Sequence, residues 1–219
     1  MSRTLFCSLL LLFGCQNEPK DINLDDLNSI KRDFLCSIFE GQTDESPFHM
    51  GYNLRTVFFS KDVVSLLGEI HIYDHLPHGS MRFEGKTLCK IHGKLQEIKL
   101  DDLFTTVRQK EFLRKYCEDQ LKSMPNSYFY GEDSLRTTLD YGDIHNFVVD
   151  DKFLILFFPP YHVGGLDDGP LHIKIPYEVM RSLWNEANSL WPVLREAIAS
   201  RAYTASWNEE WTHQKRVAE

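Results

Sequence analysis

Hydrophobic positions change their period several times along this chain, and each change marks an element. Leu27, Ile30, Phe34, Leu35 and Ile38 recur at helical spacing, with Asp25 and Asp26 at the start where the helix dipole favours acid, which predicts a helix over 24–39. The period then falls to two. Residues 52–59 and 62–73 read as strands; in the second, Val64, Leu66, Ile70 and Ile72 share one face and Ser65, Glu69, His71 and Tyr73 the other, while Gly68 marks a bulge or a close approach. A loop over 74–80 leads to a strand over 81–91, and Gly93 turns the chain into a short alternating stretch over 95–100. Leu113, Tyr116, Cys117 and Leu121 restore helical spacing, so a helix is expected after 101–104 and up to 122, with Pro125 beyond its end. Residues 126–143 have no strong period and read as loop with one helical turn.

The stretch 147–177 carries three strands with their turns written between them. Residues 147–149 and 153–158 are apolar, aromatic and β-branched, and Asp150-Asp151 is short enough for a hairpin turn. Pro159 and Pro160 stop the second strand; Leu171, Ile173 and Ile175 then alternate with His172 and Lys174. Met180, Leu183, Trp184 and Ala187 predict a further amphipathic helix, broken by Pro192 and resumed over 193–203, with Trp207 and Trp211 four apart on a last helical segment. The pattern is that of an α+β fold: an antiparallel β-sheet with packed helices and a C-terminal helical extension.

Composition narrows the class. With 219 residues, 42% of them hydrophobic, the chain can bury the core of one domain and is not of disordered type. A net charge of -8 argues against nucleic acid as a partner and favours neutral or basic ones. The first fifteen residues join Arg3 to a short apolar run ending Leu12-Phe13-Gly14-Cys15, which resembles the lipobox of a bacterial lipoprotein signal. The expectation is a signal over 1–15 with Cys15 lipidated, a tether over 16–21, a domain over 22–184 and a helical extension over 185–219. Cys36, Cys89 and Cys117 then remain, either as one disulfide with one thiol or as three thiols, Cys117 on the apolar face of its helix.

Candidate chemistry is sparse. His71, Asp74, His75 and His78 offer imidazoles and a carboxylate at a strand end, a possible set of metal ligands, but at a spacing unlike that of helical zinc motifs. Ser65 and Ser80 sit in no nucleophile elbow. Asp150-Asp151 and Asp167-Asp168 are adjacent pairs, which suit turns better than the opposed carboxylates of glycoside hydrolysis.

Three segments, DVVSLLGEIHIYDHLPHG, LQEIKLDDLF and FVVDDKFLILFFPPYHVGGLDDGPLHIKIPY, together resemble the domain-of-unknown-function family found at the C-terminus of the anti-sigma factor RsiV and of the peptidoglycan deacetylase PdaC. The matching features are Tyr73, His78-Gly79, residues 98–104, residues 158–161, Gly169 and residues 175–177, within a stretch of about 52–184. The resemblance implies an α+β domain without catalysis of its own and without a cofactor. With the lipobox at Cys15, the expectation is a lipid-anchored module of the bacterial cell envelope, and the resemblance to the RsiV sensor region implies lysozyme or cell-wall peptidoglycan as its partner. The loops expected to meet that partner carry Tyr73, Asp74, His75 and His78 on one side and Tyr161, Asp167 and Asp168 on the other. A metal-dependent hydrolase built on His71, Asp74, His75 and His78 is the alternative.

Overall fold

In the computed structural model, which describes residues 21–39, 49–73, 80–130, 134–159, 162–165, 170–183 and 190–200, the element needing most cover is strand β2 (Val63–Tyr73). Its residues 63–68 are buried without a break. Because successive side chains on a strand point to opposite faces, such a run requires a layer on each side. On one face Val64, Leu66 and Ile70 pack with Leu27, Phe34 and Ile38 of helix α1 (Leu24–Phe39). Gly68 proves to be a close approach on this face, since a Cβ there would stand 3.1 Å from Ile38 Cδ1. On the other face Leu67 joins Val57, Phe83, Val148, Ile155 and Phe157, the last three from a second sheet.

The first sheet is an antiparallel meander of β1 (His49–Phe59), β2, β3 (Ser80–Ile91) and β4 (Lys94–Glu97) in that order. The β1–β2 register slips between Thr56 and Phe58, so the bulge lies in β1 and sends neighbouring apolar residues Val57 and Phe58 into different clusters. The second sheet has the order β5 (Phe147–Val149), β6 (Phe153–Phe158), β7 (Leu171–Pro176), again antiparallel. The α+β class is as expected, with the antiparallel strands divided between two stacked sheets.

Strand β6 is covered on both faces like β2. Ile155 and Phe157 meet the first sheet, while Leu154, Leu156 and Phe158 enter the main core. Leu113, Cys117 and Leu121 of α3 (Val107–Lys122) and Leu194, Ala197 and Ile198 of α5 (Trp191–Ala199) share that core. Helix α1 thus covers one face of the first sheet and the second sheet covers part of the other, while α3 and α5 share the main core with β6 and with Phe58, Val63 and Cys89 of the first sheet.

Polar groups weld the two sheets. The Asn146 side chain accepts from Gly85 N at 2.6 Å and donates to the Phe83 carbonyl. Gly85 is required there, because a Cβ would collide with the carbonyl of Phe147. Ser65 Oγ accepts from Val149 N at 3.0 Å and lies 2.9 Å from Thr87 Oγ1, so two buried hydroxyls and a backbone donor satisfy one another.

The helix expected up to residue 122 is preceded by a separate turn, α2 (Leu100–Leu103). The break is chemical. Thr106 Oγ1 accepts from Gln109 N at 3.2 Å, and Gln109 Oε1 accepts from Thr106 N at 2.9 Å and Thr105 N at 2.7 Å, a capping box that opens α3. After β7 the described residues form α4 (Tyr177–Met180) and a 3-10 turn, Arg181–Leu183; Trp184 and Ala187 of the expected helix lie outside the described residues. Pro192 begins α5 instead of breaking a helix, since the first helical turn needs no N–H from it. Trp191 packs edge-on against Phe104, with centroids 5.6 Å apart, so the described part of the extension lies inside the core.

Cys36, Cys89 and Cys117 are free thiols, Cys36 exposed and the other two buried. Burial, with Asp62 nearby, pushes the Cys89 thiol up to about 11, and burial raises Cys117 further. Among the described residues no helix is long and apolar enough to cross a membrane. The expected signal with Cys15, most of the tether, and Trp207 and Trp211 lie outside the described residues. Asp21, the last tether residue, stands 3.6 Å from Lys90 Nζ.

Candidate functional site

The relative direction of the two sheets follows from the groups that weld them. Asn146 bonds at the level of Phe83 and Gly85, whereas Val149 bonds at the level of Ser65. Phe83 pairs with Glu69 and Thr87 with Ser65, so β5 runs away from the level of Glu69 toward that of Ser65. Strand β6 runs antiparallel to it, with Leu154 opposite Val149 and Phe157 N donating to Asn146 O at 2.9 Å. Phe158, where β6 ends, and Leu171, where β7 begins, thus lie at the same end of the sandwich as the close of β2 and the start of β3. The rings of Phe83 and Phe157, 5.0 Å apart, join the two sheets there.

Two of the expected site residues can be placed. Tyr73 ends β2. His71 is half-exposed, its Nε2 2.9 Å from Glu69 Oε1, and Arg55 approaches the same carboxylate at 3.9 Å. Asp74, His75, His78, Tyr161, Asp167 and Asp168 lie outside the described residues, but the strand ends that carry their loops are those just shown to share one end. Among the described residues no group of three His, Cys, Asp or Glu stands together as a metal would need. Beside Phe157, with ring centroids 6.2 Å apart, stands His172, whose imidazole is held below its ordinary value by burial and by Lys174.

A third element reaches this end, and its residues carried no periodic signal. Tyr128 N donates to Val163 O at 2.7 Å, and Ser127 forms a bridge with Gly164, where a Cβ would come within 2.7 Å of Asn126 O. Arg136 locks the junction. Its Nη1 donates to His162 O at 2.7 Å, its Nη2 pairs with Asp143 at 3.0 Å, and its guanidinium lies 5.6 Å from the centre of the Phe129 ring. The backbone N of Arg136 donates to Tyr128 O at 3.0 Å, and this support holds Tyr130 and Leu135 half and 79% exposed. The signal that could have revealed the clamp is charge: Arg136 is the single basic residue among four acidic ones in 126–143.

The Asp150-Asp151 pair is turn chemistry. Asp150 Oδ1 accepts from Lys152 N at 2.7 Å and Phe153 N at 2.6 Å, and burial raises its carboxyl. Tyr177, which closes the IPY segment, donates to Asp150 O at 2.8 Å. Leu100, Leu103 and Phe104 of the LDDLF segment are all in the core. The motif residues described here therefore build the fold.

This arrangement defines an α+β domain of two stacked antiparallel sheets with one loop-bearing end. Residues 101–178 match the model of a family described as Protein of unknown function (DUF3298). The match takes in the LDDLF, FFPPY and IPY segments, except the start of the first, and leaves out the segment over 62–79 in the first sheet. The chain is also similar in fold to a crystal structure of a DUF3298 family member from Bacteroides fragilis, with a TM-score of 0.53 and 18% identity, covering 81% of this chain and 67% of that one. A DUF3298 family protein from Pseudomonas aeruginosa gives a TM-score of 0.50 and 14% identity, with 71% and 67% covered. No curated protein matches the chain.

Proposed function

We propose that the chain is a lipid-anchored, non-catalytic binding domain of the bacterial cell envelope, similar to the RsiV sensor region, whose loop-bearing end receives a basic muramidase of the lysozyme type, with cell-wall glycan as the second ligand class. The observation that carries this reading is the common end of the two sheets. The connections of β2 to β3 and of β6 to β7 start and finish there, and they hold Asp74, His75, His78, Tyr161, Asp167 and Asp168. The second connection is rooted in the core by Val163, and loops borne on a rigid scaffold are where recognition residues concentrate. Their carboxylates, on a chain of net charge -8, favour a basic partner and speed its encounter. In this reading the lipid at Cys15 supplies the address, and the tether over 16–21 supplies the reach.

Calorimetric titration of the purified protein with a C-type lysozyme, at low and at raised salt, tests the reading. Saturable one-to-one binding that survives salt is the expected result. Heat that fails to saturate, or that disappears once charges are screened, contradicts it.

A further inference from the structure

The place where the N-terminal segment joins the domain is fixed by its own bonds. Ile22 N donates to Lys61 O at 3.0 Å, in the turn between β1 and β2, and Ile22 packs against the cluster of Leu27 and Phe34. Asp21 stands 3.6 Å from Lys90 Nζ, and Asp62 lies 3.9 Å from the same ammonium. The Lys90 side chain is only 8% exposed, so a cation that has lost most of its water holds both carboxylates. This end of the sandwich is the one opposite the loop-bearing end: β2 starts there, β3 finishes there, and Val149, just before the β5–β6 turn, bonds at the level of Ser65. The eleven residues of β2 set the two ends about 33 Å apart. Three hairpin turns meet at the near end, and each exposes a lysine in the turn or directly after it: Lys61, Lys94 and Lys152. Acids beside them are turned inward. Asp62 faces Lys90, and the buried Asp150 spends its carboxylate on Lys152 N and Phe153 N. Asp25, Asp151 and Glu178 are the other acids nearby.

From this geometry we infer that the end carrying Lys61, Lys94 and Lys152 is the membrane-facing surface of the domain, seated on anionic lipid headgroups, and that the loop-bearing end is held away from the bilayer. The inference rests on the lipid-anchored reading and names the surface that meets the lipid. Length selects this pose over its inverse. From Cys15 to Asp21 the chain has six residues, which span at most about 22 Å when fully extended. Were the loop-bearing end to rest on the bilayer, Asp21 would stand about 33 Å above it, beyond the reach of that tether. Charge selects this pose over a domain lying on its side. The chain as a whole, at -8, is repelled by an anionic surface, whereas exposed lysines within a Debye length of it, about 10 Å, are drawn to the headgroup phosphates. Turning the three hairpins toward the bilayer satisfies both.

The test is acylation of lysines by a water-soluble succinimidyl ester, read by mass spectrometry on the full chain produced in a bacterial host. It is run once on vesicles of phosphatidylglycerol and phosphatidylethanolamine and once in uncharged detergent. Flotation with the vesicles, and its loss in a Cys15→Ser variant, reads the anchor separately. Lys122 is the internal reference, because it closes α3 just before the residues that bond to Val163 at the loop-bearing end. The expected result is acylation of Lys61, Lys94 and Lys152 slowed several-fold on the vesicles, with Lys122 unchanged. Unchanged rates at the three turn lysines, or equal slowing of Lys122, overturn the inference and leave lipid anchoring standing. A parent chain that does not float, or a Cys15→Ser variant that floats as well, overturns the anchor and the inference with it.

Discussion

Gly85 and Asn146 decide, between them, how closely the two sheets approach. Asn146 offers one acceptor and one donor to the backbone of β3, at the spot where Gly85 has no side chain to obstruct Phe147. Replacing Gly85 with alanine forces the β5 backbone away from β3. The expected cost is about 1 to 3 kcal/mol or more of stability, as for other overpacked interiors, read as a lowered urea midpoint. His172 makes a second prediction at this scale. Its folded pKa lies below the unfolded value of 6.5 because burial and Lys174 disfavour the cation. Between the two values the unfolded chain binds more protons than the folded one. The stability is therefore present above about pH 6.5 and is lost as pH falls through the folded value. A His172→Gln variant removes this contribution, so the difference in urea midpoint between parent and variant shifts against the parent on going from pH 7.5 to pH 5. A difference independent of pH would contradict the assignment. The hydrophobic pattern did not mark Gly85, and it marked His172 only as the polar side of an alternating strand. Gly85 interrupts a strand as any weak position does, and only a backbone arriving from sixty residues away makes it necessary.

At the scale of elements, local signals were good guides wherever the physics is local. The helix over 24–39, strands of the meander and the Asp150-Asp151 turn follow from periodicity and from a side chain bonding its own backbone. The exceptions are also local in origin. The pair Thr106 and Gln109 is a written capping box, which opens α3 where the helix after 101–104 was expected and sets it apart from the short turn α2. Gln109 does more than cap. It is fully buried, takes both N–H groups of Thr105 and Thr106, and donates to Leu183 O at 3.3 Å, tying α3 to the turn that follows β7. Removing the cap with Thr106→Ala is expected to cost about 1 kcal/mol. Gln109→Ala takes its hydrogen bonds from the half-buried N–H groups of Thr105 and Thr106 and from the buried carbonyl of Leu183, and is expected to cost about 2 kcal/mol or more. Denaturant unfolding of the two variants gives the order, and a larger loss for Thr106→Ala would contradict it.

For the whole molecule, the sequence carried the α+β class and the antiparallel pairing but not the division into two sheets. The continuous apolar run of β6 says that it has two faces to cover but not with what, and the alternation along β2 marked only one apolar face. That is settled by long-range contacts, α1 against one side of β2 and the second sheet against the other, which no local window contains. The candidate site was legible to the same extent. The acids and histidines of the two connections stood out by composition, and that the strand ends carrying those connections share one end followed only from the direction of β5 across the first sheet. The Arg136 junction was missed, because an arginine in an aperiodic segment reveals its role only through the carbonyl of His162 and the carboxylate of Asp143.

The central claim is that the loop-bearing end of the sandwich is where a basic partner lands. Amide hydrogen exchange of the protein, alone and saturated with a C-type lysozyme, tests it most directly. The account predicts that new protection gathers in residues 74–80, 127–136 and 159–170, with the amides of α1 and of α3 beyond its first turn unchanged. Protection on the outer face of α1 or α3, with none at those three segments, would contradict it.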